Sequence, residues 1–220
     1  MMGNEMDPHA DGPVYGAGAA LEGATSAVIL LHGRGGLARD ILELAEPLGG
    51  DVLEGVAFLA PQAAGSTWYP ASFLAERAVN EPWLGSALKK VGSVVASAVA
   101  AGVPRERIVI GGFSQGACLS TEFVATHPAR YAGLVAFTGG LIGPLGSDVR
   151  HEGDVQGMPA FLGSSDPDPH VPWSRVVESA EVLAGMSAVV TTRRYVGKPH
   201  SVSAEEIALA RELVVGALAG

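Results

Sequence analysis

Short unbroken apolar runs punctuate the chain at residues 27–31, 56–60, 108–110, 134–138 and 159–163, each closed by glycine, proline or a polar loop. Runs of this length without polar alternation predict strands covered on both faces, as in a parallel sheet. Residues 189–195 alternate and predict a further strand. Residues 14–20 predict a short edge strand, weakened by their glycines and alanines. Between the runs the period changes. Leu84, Leu88, Val91, Val95 and Ala98 recur at alternating steps of four and three, which puts them on one face of a long helix over 81–101, ended by Gly102 and Pro104. Shorter helices are predicted over 41–48, from Ser114 to about His127, over 173–184, and over 204–218, where Ser203 and Glu206 make a capping box.

Strands alternating with helices from end to end predict an α/β fold, a mostly parallel central sheet with helices on both faces, whose ligands gather at the carboxyl ends of the strands. Residues 13–220 read as one such domain behind a flexible tail of residues 1–12. No insert long enough for a separate lid domain interrupts the pattern.

Composition narrows the function classes. A formal charge of −9 with no visible basic patch argues against a nucleic-acid partner. A single cysteine leaves no internal disulfide, the N-terminus lacks the pattern of a secretory signal, and no apolar stretch approaches the roughly 20 residues needed to cross a bilayer. A cytoplasmic protein without stable membrane insertion is expected, and a homodimer is compatible with the sequence.

The candidate chemistry centres on Gly112-Phe113-Ser114-Gln115-Gly116, which joins the run 108–110 to the helix that follows. In a chain with 30 glycines in 220 residues, a Gly-x-Ser-x-Gly pentapeptide arises by chance about 0.3 times, so its weight comes from standing between strand and helix. Glycines two places either side of Ser114 let the strand double into the helix and lift one hydroxyl clear of the sheet. A serine hydroxyl needs a base, and imidazole is suited because its pKa lies near neutrality. Among the six histidines, His200 in the loop after the last strand is the candidate. His9 stands in the tail, His127 at a helix end, His151 in the long loop 139–157, and His32 before a glycine run, where a structural role fits better. His170 is the rival, but its neighbour in the chain would then be the orienting acid, and two residues so close cannot readily line up with a serine. The acid comes from Ser164-Ser165-Asp166-Pro167-Asp168-Pro169-His170, where the residues alone leave Asp166 and Asp168 open. The chain order Ser, Asp, His is that of α/β-hydrolases.

Three other features bear on the site. His32-Gly33-Arg34-Gly35-Gly36 fits no phosphate-loop spacing, so its backbone amides are better read as donors to an oxyanion. Trp68 and Tyr69, adjacent aromatics in a loop of an aromatic-poor chain, suggest a pocket wall. Cys118 reads as a small buried hydrophobe, no residues show metal-ligand spacing, and the chemistry calls for no cofactor.

These motifs, Leu31-His32-Gly33-Arg34-Gly35, Gly112-Phe113-Ser114-Gln115-Gly116, Asp168-Pro169-His170-Val171-Pro172 and Gly197-Lys198-Pro199-His200, together resemble the phospholipase/carboxylesterase group of small α/β-hydrolases, from about residue 25 onward. The resemblance implies a catalytic triad of Ser114, Asp168 and His200, oxyanion amides on Arg34 and Gln115, and a substrate pocket near Trp68, Tyr69 and His170. The chain departs from the pattern in Pro70, where the group often has Asp, and in Arg34, where it often has Leu. The activity expected is that of a serine carboxylesterase on small to medium esters. Alternatives are a lysophospholipase or acyl-thioesterase with longer acyl groups and, from another class, a catalytically silent binding protein on a hydrolase scaffold.

Overall fold

The computed structural model describes residues 7–219. Its sheet has seven strands, β1 (Val14–Gly18), β2 (Ser26–Leu31), β3 (Val56–Pro61), β4 (Ile108–Phe113), β5 (Gly133–Phe137), β6 (Pro159–Asp166) and β7 (Val189–Val196), in the order β1-β3-β2-β4-β5-β6-β7. Only β1 is antiparallel; every other neighbouring pair is parallel. The unbroken apolar runs are the central strands, because their two faces serve two cores. Ala27, Ile29 and Leu31 of β2 point into one core and Val28 and Leu30 into the other. The edges are different: β1 and β7 alternate between exposed and half-buried, and β7 carries Arg193 and Arg194, charges that discourage edge pairing.

Helices α2 (Trp83–Ala100), α3 (Gln115–Thr126) and α4 (Trp173–Gly185) cover the first core, while α1 (Ala38–Ile41) and α5 (Ala204–Leu218) cover the second. The stripe read from the sequence, Leu84, Leu88, Val91, Val95 and Ala98, is the buried face of α2. The capping box at Ser203 and Glu206 is formed at the start of α5.

Two local expectations fail. The helix over 41–48 is one turn of α1 followed by a 3-10 turn, Leu42–Leu44, and a π turn, Glu46–Gly50. Pro47 has no N–H to continue the ladder, and Gly49 takes a φ of 125° that a helix does not allow. Of the tail expected over 1–12, residues 1–6 lie outside the described residues. Residues 7–12 pack against the domain: His9 is fully buried between the rings of Trp68 and Trp83, with its Nε2 on the Trp68 carbonyl and its backbone N–H donating to Ser86 Oγ. Among the described residues no helix is long and apolar enough to cross a membrane.

Candidate active site

The close passage of β2, β4 and α3 sets the site. A Cβ on Gly112 would lie 2.5 Å from the Leu31 carbonyl oxygen, and one on Gly116 would lie 2.1 Å from the same atom. Only glycine permits that approach, so the two glycines of the pentapeptide let the strand reverse into α3 directly against β2. Ser114 between them has φ 54° and ψ −116°, a conformation that side-chain-bearing residues avoid and that neighbouring packing must enforce. Its N–H is held by the Phe137 carbonyl.

Three loops meet at Ser114. His200, after β7, brings Nε2 to 2.8 Å from Ser114 Oγ. Asp168, after β6, brings Oδ2 to 2.8 Å from His200 Nδ1. The other alternative, Asp166, points elsewhere and pairs with Arg194 of β7. The Asp168 side chain is fully buried. Burial raises its pKa, but hydrogen bonds from Ser165 Oγ, His200 and the backbone N–H groups of His170 and Val171 outweigh that and hold it at about 2. An ionised carboxylate only accepts, so Nδ1 of His200 carries the ring proton and Nε2 offers a lone pair to the serine. The imidazole is confined between Phe113, with ring centroids 5.0 Å apart, and the His170 ring, which meets it edge-on at 4.9 Å.

A second network fixes the loop after β2. His32 Nε2 accepts from the Ala63 N–H, so its Nδ1 carries the proton and donates to the Gly33 carbonyl at 2.8 Å. Burial keeps the His32 pKa below its ordinary value, in keeping with a neutral ring. Gly36 N–H donates to the same carbonyl. The Gly33–Arg34 peptide is trans, so with its C=O turned toward these donors the Arg34 N–H faces the opposite way. Gln115, first residue of α3, has one of the helix N-terminal N–H groups that lack an intrahelical acceptor. Its side chain clamps the next loop: Oε1 accepts from the Trp68 N–H and Nε2 donates to the Tyr69 carbonyl.

Ser114, His200, Gly33, Arg34 and Gln115 line one open cleft of about 760 Å³. Tyr69 and His170 also line it. Trp68 does not: it is fully buried behind the wall, with Nε1 donating to the His32 carbonyl. Both aromatics are buried in the core, and only Tyr69 also borders the cleft, because the backbone turns the Trp68 ring toward His32 and His9. Four residues went unread in the sequence: Ser165, which shares Asp168 Oδ2 with the histidine, Phe113 against the imidazole, and Phe73 and Leu74 on the cleft wall. Phe113 and Ser165 stand inside the candidate stretches, but their own residue types do not tell which side chain they will touch once His200 and Asp168 are in place. Cys118 also borders the cleft, but burial pushes its thiol up to about 12, so it is no nucleophile near neutral pH.

Sheet order, a strained serine between strand and helix, and the loops meeting above it define an α/β-hydrolase. The profile of the Phospholipase/Carboxylesterase family matches residues 19–215, and the chain belongs to that family. A solved phospholipase/carboxylesterase from Dyadobacter fermentans is 43% identical over 96% of this chain and 100% of its own, with a TM-score of 0.89. Acyl-protein thioesterase 1 of Cryptococcus neoformans is 28% identical, covering 84% of this chain and 90% of that protein. Acyl-protein thioesterase 1 of Eremothecium gossypii is 33% identical across 55% of this chain, which spans 57% of that relative's length. The Bacillus cereus carboxylesterase, at 21% identity and a TM-score of 0.74, shares the fold.

Proposed function

We propose that the chain is a serine carboxylesterase acting on small to medium carboxylic esters through Ser114, His200 and Asp168. One observation carries the proposal: a histidine hydrogen-bonded at 2.8 Å both to an elbow serine and to a buried, ionised aspartate, on the wall of an open cleft. Ser114 Oγ attacks the ester carbonyl carbon while its proton passes to His200 Nε2. The resulting imidazolium is stabilised by Asp168 without taking up its proton. The oxyanion is held by the N–H groups of Arg34 and Gln115, donors fixed before the charge develops. As the carbon–oxygen bond to the alcohol breaks, the imidazolium protonates the departing oxygen. Water then repeats the sequence on the acyl-enzyme, releasing the acid and restoring the serine.

The cleft is open and among the described residues no separate lid domain covers it, which supports accessible esters over buried lipid chains. A second reading, a thioesterase with longer acyl groups, draws support from the acyl-protein thioesterase relatives and from Phe73 and Leu74 on the cleft wall. A series of p-nitrophenyl esters from acetate to palmitate tests both. An optimum at short to medium chains is expected; an optimum at palmitate would replace the first reading with the second. Turnover of any ester should vanish in Ser114→Ala, and full activity in that variant would remove the proposed nucleophile.

A further inference from the structure

We propose that Arg34 makes this cleft selective for esters that carry an anionic group, such as a carboxylate, near the scissile bond. The inference rests on the serine-esterase reading above and names the substrate class for the same site. The chain is strongly acidic, with 23 Asp and Glu against 14 Lys and Arg, yet among the described residues no carboxylate lines the cleft. Its charged and titratable lining residues are Arg34, His170, His200 and the buried thiol of Cys118 and phenol of Tyr69. Behind the wall the ionised Asp168 faces His200 Nδ1, so within the cleft the uncompensated charge is that of Arg34, on a wall partly made of apolar side chains that strengthen its field.

Arg34 is placed to use that field. Its backbone belongs to the loop over the serine, and its side chain reaches across to the segment after Tyr69. There Nη1 donates to the Pro70 carbonyl at 2.9 Å and Nη2 to the Ala71 carbonyl at 2.7 Å. The guanidinium carbon stands 6.0 Å from the centre of the Tyr69 ring. Pro70, Ala71 and Tyr69 all line the cleft, so the cation sits along its wall. Two neutral carbonyls occupy two of the five N–H donors and neutralise no charge. Among the described residues no acid pairs with Arg34, including Asp40 and Glu43 of the adjoining hollow that Arg34 also borders. The two carbonyls hold the guanidinium in place while its remaining N–H groups stay available. An arginine held this way and left without a counter-ion is suited to a planar anion, which guanidinium binds through two parallel hydrogen bonds. An anion there lies beside the Arg34 amide, so its pairing and the placement of the ester carbonyl are coupled through one residue.

Matched pairs of substrates test this. On the acyl side, mono-p-nitrophenyl glutarate is compared with p-nitrophenyl valerate; on the alcohol side, 4-butyryloxybenzoate is compared with its methyl ester. Wild-type protein should favour the anionic member of at least one pair in kcat/KM by about tenfold or more, the lower end of what a hydrogen bond to a charged group contributes. The preference should shrink as salt rises, since the arginine is exposed to ions. Arg34→Leu should abolish the preference, read as the ratio within each pair, and Arg34→Lys should retain part of it. If Arg34→Leu proves inactive, the wild-type ratio, its salt dependence and the Arg34→Lys ratio still decide. Neutral esters favoured in both pairs, or an anionic preference unchanged in Arg34→Leu, would overturn the proposal. Activity that depends on Ser114 but shows no anionic preference defeats this inference alone; activity surviving in Ser114→Ala defeats the esterase reading.

Discussion

Replacing Asp168 by asparagine keeps the shape of the side chain and changes what it can accept. In the native protein one oxygen, Oδ1, takes the backbone N–H groups of His170 and Val171, both at 2.9 Å, and the other, Oδ2, takes Ser165 Oγ at 2.6 Å and His200 Nδ1 at 2.8 Å. Depression of the carboxyl from 3.8 to about 2 means the fold favours the anion over the acid by about 2 kcal/mol. In the variant the two backbone donors hold the amide oxygen, which turns the amide NH₂ toward Ser165 and His200. Ser165 can rotate its hydroxyl to accept. His200 can receive the amide proton only by moving its own to Nε2, where it faces Ser114 and can no longer take the serine proton. Loss of the correct tautomer and of the partner for imidazolium should lower kcat by about 10⁴-fold, roughly 5.5 kcal/mol, with little change in KM. Initial rates with p-nitrophenyl butyrate measure this, and urea unfolding confirms that the variant is folded. In Asp166→Asn only a partly exposed pair with Arg194 is lost, and kcat should stay within about threefold of wild type. A fall of less than tenfold in Asp168→Asn, or a larger fall in Asp166→Asn, would refute the assignment of the relay.

Three further outcomes are expected. Gly116→Ala would put a methyl 2.1 Å from the Leu31 oxygen and 2.6 Å from the His32 oxygen; forcing α3 off β2 should cost about 3 kcal/mol in urea unfolding and lower kcat about 100-fold, and an unchanged midpoint would contradict the close-approach argument. Ser165→Ala removes one of two donors on Asp168 Oδ2 and should lower kcat about tenfold at constant KM, with Ser165→Thr restoring most of it, whereas a KM effect without a kcat effect would show that Ser165 does not act through the relay. The depressed Asp168 pKa makes a contribution to stability that is complete above the unfolded value of 3.8 and is lost as pH falls through about 2; the stability difference between wild type and Asp168→Asn should therefore narrow by about 2 kcal/mol from pH 6 to pH 2, and a constant difference would exclude the ionised carboxylate as its source.

Elements whose character is set by their own residues were legible in the sequence. The run from Ile108 to Ile110 is a buried strand because no polar atom in its side chains resists burial, and the stripe on α2 is the buried face because apolar residues recur at the helical period. The serine, its glycines and the histidine were legible too, since each chemistry admits few residue types. What failed depended on distant partners. His9 stands among polar residues, yet the carbonyl of Trp68 and the amide of Ala64 satisfy both of its ring nitrogens and make burial tolerable. Asp166 and Asp168 could not be separated by their own residues, because what separates them is Arg194 for the one and His200 for the other, both remote along the chain until β6 and β7 pair.

The same reasoning explains why the loop after β2 needs more than glycine. Glycine makes the turn possible, but it leaves the Gly33–Arg34 peptide free to face either way, and only one orientation turns the Arg34 N–H away from the core. His32 removes the choice. The Ala63 amide fixes its tautomer, the tautomer puts a donor at Nδ1, and that donor together with the Gly36 N–H holds the Gly33 carbonyl. Trp68 steadies His32 from the other side by donating to its backbone carbonyl, and Gln115 holds Trp68 through its backbone amide. One residue, Gln115, thus carries an N–H at the head of α3 and, through its side chain, holds the Trp68–Tyr69 segment, whose Trp68 in turn restrains His32 in the loop that carries Arg34. The two amides are tied to each other through buried side chains and are not set independently by their own loops, which is the preorganisation their proposed role as oxyanion donors requires.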